Sequence, residues 1–187
     1  MTGPISFNSQ TQLSNHGVGC SVVAIETTIP SFGANFSGRL LDAPRYERYS
    51  TVTLFEGLQP EEIGALLGYS EEVNVEAGDV VIHEGEPPSY FYIIAEGTLD
   101  VIKTEGKIPT VLARLSDLSS FGEMGLVSEQ PHTASIVAVA DSRLRRFSIE
   151  QFQELLDHGD RTAYRMVLGL TKLLAIRLTA SDERRVS

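Results

Sequence analysis

One stretch of this sequence decides the fold: Phe121-Gly122-Glu123-Met124-Gly125-Leu126, followed after a short loop by Pro131-His132-Thr133-Ala134-Ser135-Ile136-Val137-Ala138. It predicts a strand that ends at Gly122, a single helical turn, a loop and a second strand. Glycine lets another group approach the main chain closely, and the first N–H groups of a helical turn have no partner inside that turn. The residues alone therefore predict either an ordinary turn or a cradle for a phosphate, with the Glu123 carboxylate beside it to accept a hydrogen bond from a sugar.

The region from Glu71 to Ser148 consists of short apolar or alternating runs separated by glycine-bearing turns. Seven runs predict strands: Val73–Val75, Val80–Ile82, Tyr90–Ile94, Leu99–Ile102, Val111–Leu112, Ser135–Val139 and Leu144–Phe147. Many short strands at even spacing are typical of an all-β barrel or sandwich.

Helices are predicted on both sides of the strands. The segment Leu58–Gly68 has a proline in its first turn, acidic residues after it and a glycine at its end, which is the pattern of a short helix. Ser148 with Gln151 forms a capping-box pattern. Gly159-Asp160 then interrupts that helix, and a long helix is predicted from Arg161 to Ser181.

The long helix has two apolar stripes. One contains Val167, Leu170 and Leu174, and the other contains Tyr164, Leu168, Thr171, Ala175 and Leu178. A helix that packs on a barrel needs one such stripe. We therefore expect the second stripe to bind a partner, either a second copy of the chain in a homodimer or another protein.

The stretch quoted first resembles the phosphate-binding cassette of the cyclic-nucleotide-binding domain family, which includes the catabolite activator protein and the regulatory subunits of cyclic-nucleotide-dependent kinases. The family pattern is Phe-Gly-Glu, a small helical turn, and Pro-Arg-Ser/Thr-Ala at the start of a strand. Two further blocks agree with the family: Glu76–Ile82 with Gly85, Tyr92–Ile94 and Gly97, and Phe147–Phe152 leading into a long helix. The resemblance covers about residues 54–182.

This resemblance implies a mainly β fold, a double-stranded β-helix (jelly-roll, cupin-like) barrel with a short N-terminal helix and a long C-terminal helix. It also implies a regulatory function rather than an enzymatic one, with cAMP favoured over cGMP as the ligand and no other cofactor. The implied ligand-binding residues are Gly122, Glu123, Met124, His132, Thr133, Ala134 and Ser181. In these roles, Glu123 would hold the ribose, Gly122 and the amides of Glu123 and Met124 would face the phosphate, and Thr133 would contact the phosphate as well. Ala134 lies in the same turn as Thr133, and Ser181 would cap the purine.

One departure from the family pattern affects function. His132 stands where the family has its phosphate-binding arginine. Arginine is permanently charged and presents a planar fork of donors, whereas histidine has an ordinary pKa of about 6.5 and is mostly neutral at pH 7. Two predictions remain open: a sensor domain that binds its nucleotide weakly or in a pH-dependent way, and a protein-interaction and dimerisation module whose pocket binds no cyclic nucleotide.

Composition narrows the classes of partner and location. The 187 residues have a formal net charge of −10 and a sequence pI near 4.8, which disfavours nucleic acid and anionic membrane surfaces as partners. No apolar run approaches the length of a membrane-spanning helix, and the single cysteine, Cys20, fits a reducing compartment. We expect a cytoplasmic protein. We also expect no DNA-binding domain, since no recognition helix follows the long helix before Ser187.

Residues 1–50 differ in composition from the rest and are predicted to form a flexible or loosely docked arm, with Val22–Ile29 as an alternative strand or partner-binding segment. Arg45–Tyr49 is expected to be an exposed lead-in. Residues 51–187 then form the nucleotide-binding-like domain. A metal site is not expected, because the four histidines are scattered along the chain and metal sites need several converging ligands.

Overall fold

The computed structural model describes residues 46–106 and 108–186, and the side chains as far as Thr179. The predictions for residues 1–45, including Val22–Ile29 and Cys20, lie outside these ranges and stay predictions. The expectation of an exposed lead-in was wrong for Tyr49, whose side chain is only 5% exposed. This residue lies in a 3-10 turn, Arg48–Thr51, that packs against the helices.

The described residues form eight strands in two four-stranded antiparallel sheets, as the all-β prediction requires. The strands are β1 (Glu71–Val75), β2 (Val80–Ile82), β3 (Tyr90–Glu96), β4 (Leu99–Glu105), β5 (Ile108–Leu115), β6 (Ser120–Phe121), β7 (Ser135–Ala138) and β8 (Ser142–Ser148). One sheet has the order β1-β8-β3-β6 and the other the order β2-β7-β4-β5. This arrangement is the expected jelly-roll barrel. The two-residue strand β6 is the predicted strand end that leads through Gly122 into a helical turn.

Strand β3 separates two apolar cores because successive side chains of a strand point to opposite faces. Tyr92 and Ile94 pack between the sheets with residues such as Leu99 and Leu144. Phe91 and Ile93 point the other way and pack against the helices. Both faces of β3 are therefore buried, and the strand fixes the barrel to its helical cover.

Three helices form that cover: α1 (Pro60–Gly68), α2 (Ile149–Asp157) and α3 (Arg161–Val186). The predicted start of α2 is confirmed, since the Gln151 N–H donates to the Ser148 hydroxyl at 3.3 Å. The predicted start of α3 is also confirmed, since Asp160 accepts hydrogen bonds from the N–H groups of Thr162 and Ala163 at 2.8 and 2.9 Å. These caps satisfy amide groups that a helix start leaves without partners. No helix among the described residues has the length and apolarity to cross a membrane.

Helix α3 packs with one stripe and leaves the other open, as predicted. Its buried face holds Ala163, Met166, Leu170 and Leu173. On this face the helix backbone at Gly169 comes very close to the 3-10 turn Thr53–Phe55. A Cβ at Gly169 would lie only 2.3 Å from the Leu54 carbonyl oxygen. The second stripe, Tyr164, Leu168, Thr171, Ala175 and Leu178, is exposed along its length.

Candidate functional site

A pocket of about 470 Å³ lies between the two-sheet barrel and helix α3. It brings together six residues predicted for the site: Gly122, Glu123, Met124, His132, Thr133 and Ala134. The apolar part of its lining comes from strands β4, β5 and β7 and from the helix, and includes Val101, Ala113, Leu115, Ile136 and Ile176. The seventh predicted residue, Ser181, has a side chain outside the described ones and stays a prediction.

Gly122 shapes the floor of the pocket. It joins β6 to a 3-10 turn, Glu123–Leu126, with a φ of +74°, in the left-handed region that favours glycine. A Cβ at this position would lie 2.9 Å from the Tyr90 carbonyl oxygen and 3.3 Å from the Phe91 Cα. The turn can therefore lie this close to β3 only because residue 122 lacks a side chain.

Glu123 lies at the base of the pocket with none of its surface exposed. One carboxylate oxygen receives the guanidinium of Arg177 from helix α3, and the other has no hydrogen-bond partner among the described residues. Burial raises the pKa of Glu123, although Arg177 and the backbone N–H of Glu123 itself oppose that rise. The site thus contains a carboxylate oxygen that is out of solvent and has no hydrogen-bond partner among the described residues.

Arg177 is a site residue that the sequence analysis missed. Besides Glu123, its guanidinium donates to the Ser120 carbonyl oxygen at 2.6 Å, and its side chain remains 41% exposed. A signal was present in the helix pattern: Arg177 follows Leu170 by seven residues and Leu173 by four, so it continues the buried stripe. A charged residue at such a position needs a partner inside the fold.

His132 stands at the pocket rim and is held by the turn between β2 and β3. Its N–H donates to the Glu86 carbonyl oxygen at 2.9 Å, and its carbonyl accepts from the Gly85 N–H at 2.8 Å. Partial burial lowers the pKa of His132, while the Glu86 carboxylate acts in the opposite direction. Both the ordinary pKa of about 6.5 and this lowering favour the neutral imidazole at pH 7.

The family can now be assigned. Residues 72–158 match the family model described as "Cyclic nucleotide-binding domain". This part of the chain belongs to the cyclic nucleotide-binding domain family. The matched residues include the whole of the turn after Gly122 and the His132–Ala134 segment, so the pocket described above lies largely within the cyclic nucleotide-binding domain.

Relatives of this domain include regulatory proteins of two kinds. The chain is 32% identical over 130 residues to the cyclic AMP receptor protein of Thermus thermophilus, an alignment that covers 69% of this chain and 58% of that protein. It is 30% identical over 112 residues to the cAMP-dependent protein kinase regulatory subunit of Aspergillus fumigatus, covering 59% of this chain and 27% of that protein. The chain therefore spans between about a quarter and three fifths of these relatives' lengths.

The fold of the cyclic nucleotide-binding domain agrees with solved structures. The crystal structure of the Thermus thermophilus catabolite activator protein superposes with a TM-score of 0.62 at 32% identity, covering 71% of this chain and 61% of that one.

Within residues 46–106 and 108–186, no group of three or more His, Cys, Asp or Glu side chains is arranged to hold a metal ion.

Proposed function

We propose that this domain is a regulatory sensor that binds cAMP in preference to cGMP, more tightly at lower pH, and that it transmits the bound state to a partner or a second copy through helix α3. The observation that carries the proposal is the convergence of the predicted cassette on one pocket, with Glu123 buried at its base and His132 at its rim. The preference for cAMP rests on the printed names of the relatives, which include a cyclic AMP receptor protein and a cAMP-dependent kinase subunit.

The pocket suits a nucleotide in size and chemistry. Its volume of about 470 Å³ lies within the range of roughly 300–1,000 Å³ that is usual for small-molecule sites. The Glu123 oxygen that lacks a hydrogen-bond partner among the described residues can accept a bond from a ribose hydroxyl. The apolar walls contributed by residues such as Val101, Leu115 and Ile176 suit the face of a purine.

The phosphate would find an uncharged histidine in place of arginine. Because partial burial lowers the pKa of His132, protonation must accompany binding if the ring is to pair with a phosphate. The bound phosphate raises the pKa of His132. Affinity therefore increases as the pH falls from the bound pKa to the free pKa, and is constant below the free value.

Helix α3 connects the pocket to the outer surface. Ile176 and Arg177 line the pocket, whereas Leu168 and Leu178, on the same helix, are 63% and 65% exposed. A ligand that changes the position of Arg177 also acts on the helix that carries this exposed stripe. The role proposed is regulatory, and DNA, membrane and metal form no part of it.

A second candidate is an interaction and dimerisation module with no nucleotide. Two observations favour it: Arg177 pairs with Glu123, and burial lowers the pKa of His132, which favours its uncharged form at pH 7. A carboxylate that is already paired and a rim without a charge would both weaken binding of a cyclic phosphate.

Calorimetric titration with cAMP and cGMP at pH 6 and pH 8 separates the two candidates. The sensor predicts binding that is tighter at pH 6, tighter for cAMP, and lost when Glu123→Ala removes the acceptor. Titration of the parent with adenosine, which lacks the phosphate, is the ligand control and should give no pH-dependent binding. No heat with either nucleotide at both pH values would leave the interaction module as the function.

A further inference from the structure

The turn between β2 and β3 contacts the rim of the pocket from outside. This turn, residues 83–86, forms two backbone hydrogen bonds with His132, one with its N–H group and one with its carbonyl oxygen. The Glu84 N–H also donates to the Ser135 hydroxyl at 3.0 Å. The turn therefore holds the backbone of the segment that carries His132 and Thr133, and it does so from outside the pocket.

A side-chain pair extends this grip to Thr133. The Lys103 ammonium donates to the Thr133 carbonyl oxygen at 2.8 Å and to the Glu84 carboxylate at 2.5 Å. The other Glu84 oxygen accepts from the Thr104 N–H at 3.2 Å. The turn, strand β4 and the segment before β7 thus meet at one ammonium group.

The position of Lys103 on β4 relates it to the pocket. Side chains two residues apart in a strand lie on the same face, and Val101, two residues before Lys103, lines the pocket. Lys103 lies beyond Val101 on that face. Its positive charge consequently stands beside the rim where the phosphate-binding arginine is absent, while its hydrogen bonds hold the backbone of Thr133.

We propose that Lys103, oriented by Glu84, is a positioning residue that fixes the His132–Thr133 rim of the pocket and adds a permanent positive charge beside it. Lys103 acts through the Thr133 carbonyl and makes no contact with the ligand in this assignment. The inference deepens the proposed function, on which its effect on nucleotide affinity depends. The positioning itself is a property of the ligand-free protein.

The Lys103–Glu84 pair differs from an ordinary surface ion pair in what it connects. Both side chains are about one third exposed, at 34% and 29%, and the hydrogen bonds to Thr133 and Thr104 tie them to the main chain. The hydrogen bond from Lys103, followed by the one from the Thr104 N–H, lowers the pKa of Glu84, which favours its carboxylate form. The Lys172–Glu56 pair, by contrast, is more than half exposed and remote from the pocket, which makes it a matched control.

The ligand-free test is amide hydrogen exchange of the full chain. Lys103→Met is expected to speed exchange at the Gly85 and His132 N–H groups by roughly tenfold, since both pair across the rim that Lys103 holds. Lys103→Arg should restore protection because it can donate to both the carbonyl and the carboxylate. Lys172→Met should leave both amides unchanged. Unaltered protection of both amides in Lys103→Met would overturn the inference, whether or not the protein binds a nucleotide.

The ligand test is calorimetric titration of cAMP at pH 6 into the same proteins. Lys103→Met is expected to bind roughly threefold to tenfold more weakly than the parent, the scale of one lost hydrogen bond. Lys103→Arg and Lys172→Met should bind like the parent. A parent that binds while Lys103→Met binds equally well contradicts the inference. A parent that does not bind contradicts the proposed function, and the exchange experiment then decides on Lys103.

Discussion

The buried carboxylate of Glu123 is paired with the guanidinium of Arg177, 54 residues later in the chain. This pair links the turn at the base of the pocket to the helix that closes it. Arg177 also binds the Ser120 carbonyl oxygen, so its guanidinium holds both sides of Gly122. One side chain, Arg177, thus connects the C-terminal helix to the base of the pocket. Several measurable properties depend on this connection.

Arg177→Met is expected to lower the free energy of unfolding by about 1–3 kcal/mol at pH 8, because it leaves the buried Glu123 without its cation. The pKa of Glu123 in the folded protein, already raised by burial, rises further in this variant. A group with a raised folded pKa stabilises the protein at low pH, and that stabilisation is lost as the pH rises through the folded pKa. The loss should therefore be clearly smaller at pH 5.

Urea unfolding at the two pH values measures this difference. The control is Arg165→Met. It removes a cation of the same helix whose partner, Glu62, lies on α1 in a partly exposed pair, and it should cost under about 1 kcal/mol. An equal loss for Arg177→Met at pH 5 and pH 8 would show that Glu123 ionisation is not the cause.

His132→Arg is expected to create or strengthen cAMP binding by roughly tenfold or more at pH 8, since it supplies a permanent charge and a forked donor. Its affinity should differ little between pH 6 and pH 8, whereas the parent should bind more tightly at pH 6. Calorimetry on both proteins makes the comparison, with His158→Arg, an exposed histidine outside the pocket, as the control. No gain in the variant would mean that another feature closes the pocket.

Gly122→Ala is expected to destabilise the protein more than Gly159→Ala. The two glycines share a φ of +74°, but a Cβ at Gly159 meets nothing within 4 Å, while one at Gly122 meets the Tyr90 carbonyl at 2.9 Å. Gly159→Ala should cost about 1–2 kcal/mol from conformation alone. Gly122→Ala should cost about 1–3 kcal/mol more, because the backbone has to move. Equal losses in thermal unfolding would remove the argument for close packing at Gly122.

The exposed stripe on α3 is expected to mediate dimerisation. At high micromolar concentration, sedimentation should give twice the chain mass of 20.4 kDa, and the melting temperature should rise with protein concentration. Leu168→Glu should shift the equilibrium to monomer because it places a charge in an apolar interface. Ile108→Glu alters an equally exposed residue on β5 and should leave the mass unchanged. A monomeric parent would exclude this interface.

The strands and helices were largely predictable because their signals are local. All seven predicted strand runs lie inside an observed strand or within one residue of its boundary, and the Ser148 and Asp160 caps formed as expected. Strand β6 was predicted only as a strand end before Gly122, because Ser120–Phe121 is too short to show a period. It forms only because Phe121 and Ser120 pair with Tyr92 and Ile93 of β3, which is a tertiary relationship.

The site was predictable where it is contiguous in sequence and not where it depends on contacts between distant residues. Most residues of the stretch from Gly122 to Ala134, on which the sequence prediction rested, line one pocket. Arg177 and Lys103 were missed because a single charged residue in a helix or strand usually faces solvent. Glu84 was likewise not predicted for the site, because its partner, Lys103, lies on strand β4, 19 residues later in the chain.

The close contact between Gly169 and the Leu54 carbonyl fixes α3 at one point, around which the rest of the helix can tilt. With no side chain at the contact, the helix is pressed against rigid main chain at this point. Eight residues separate Gly169 from Arg177, an arm of about 12 Å at the usual helical rise. A tilt of about 10° around this contact displaces Arg177 by about 2 Å, which exceeds what a hydrogen bond tolerates. Small angular motions of the helix around this contact would therefore form or break the hydrogen bond between Arg177 and Glu123.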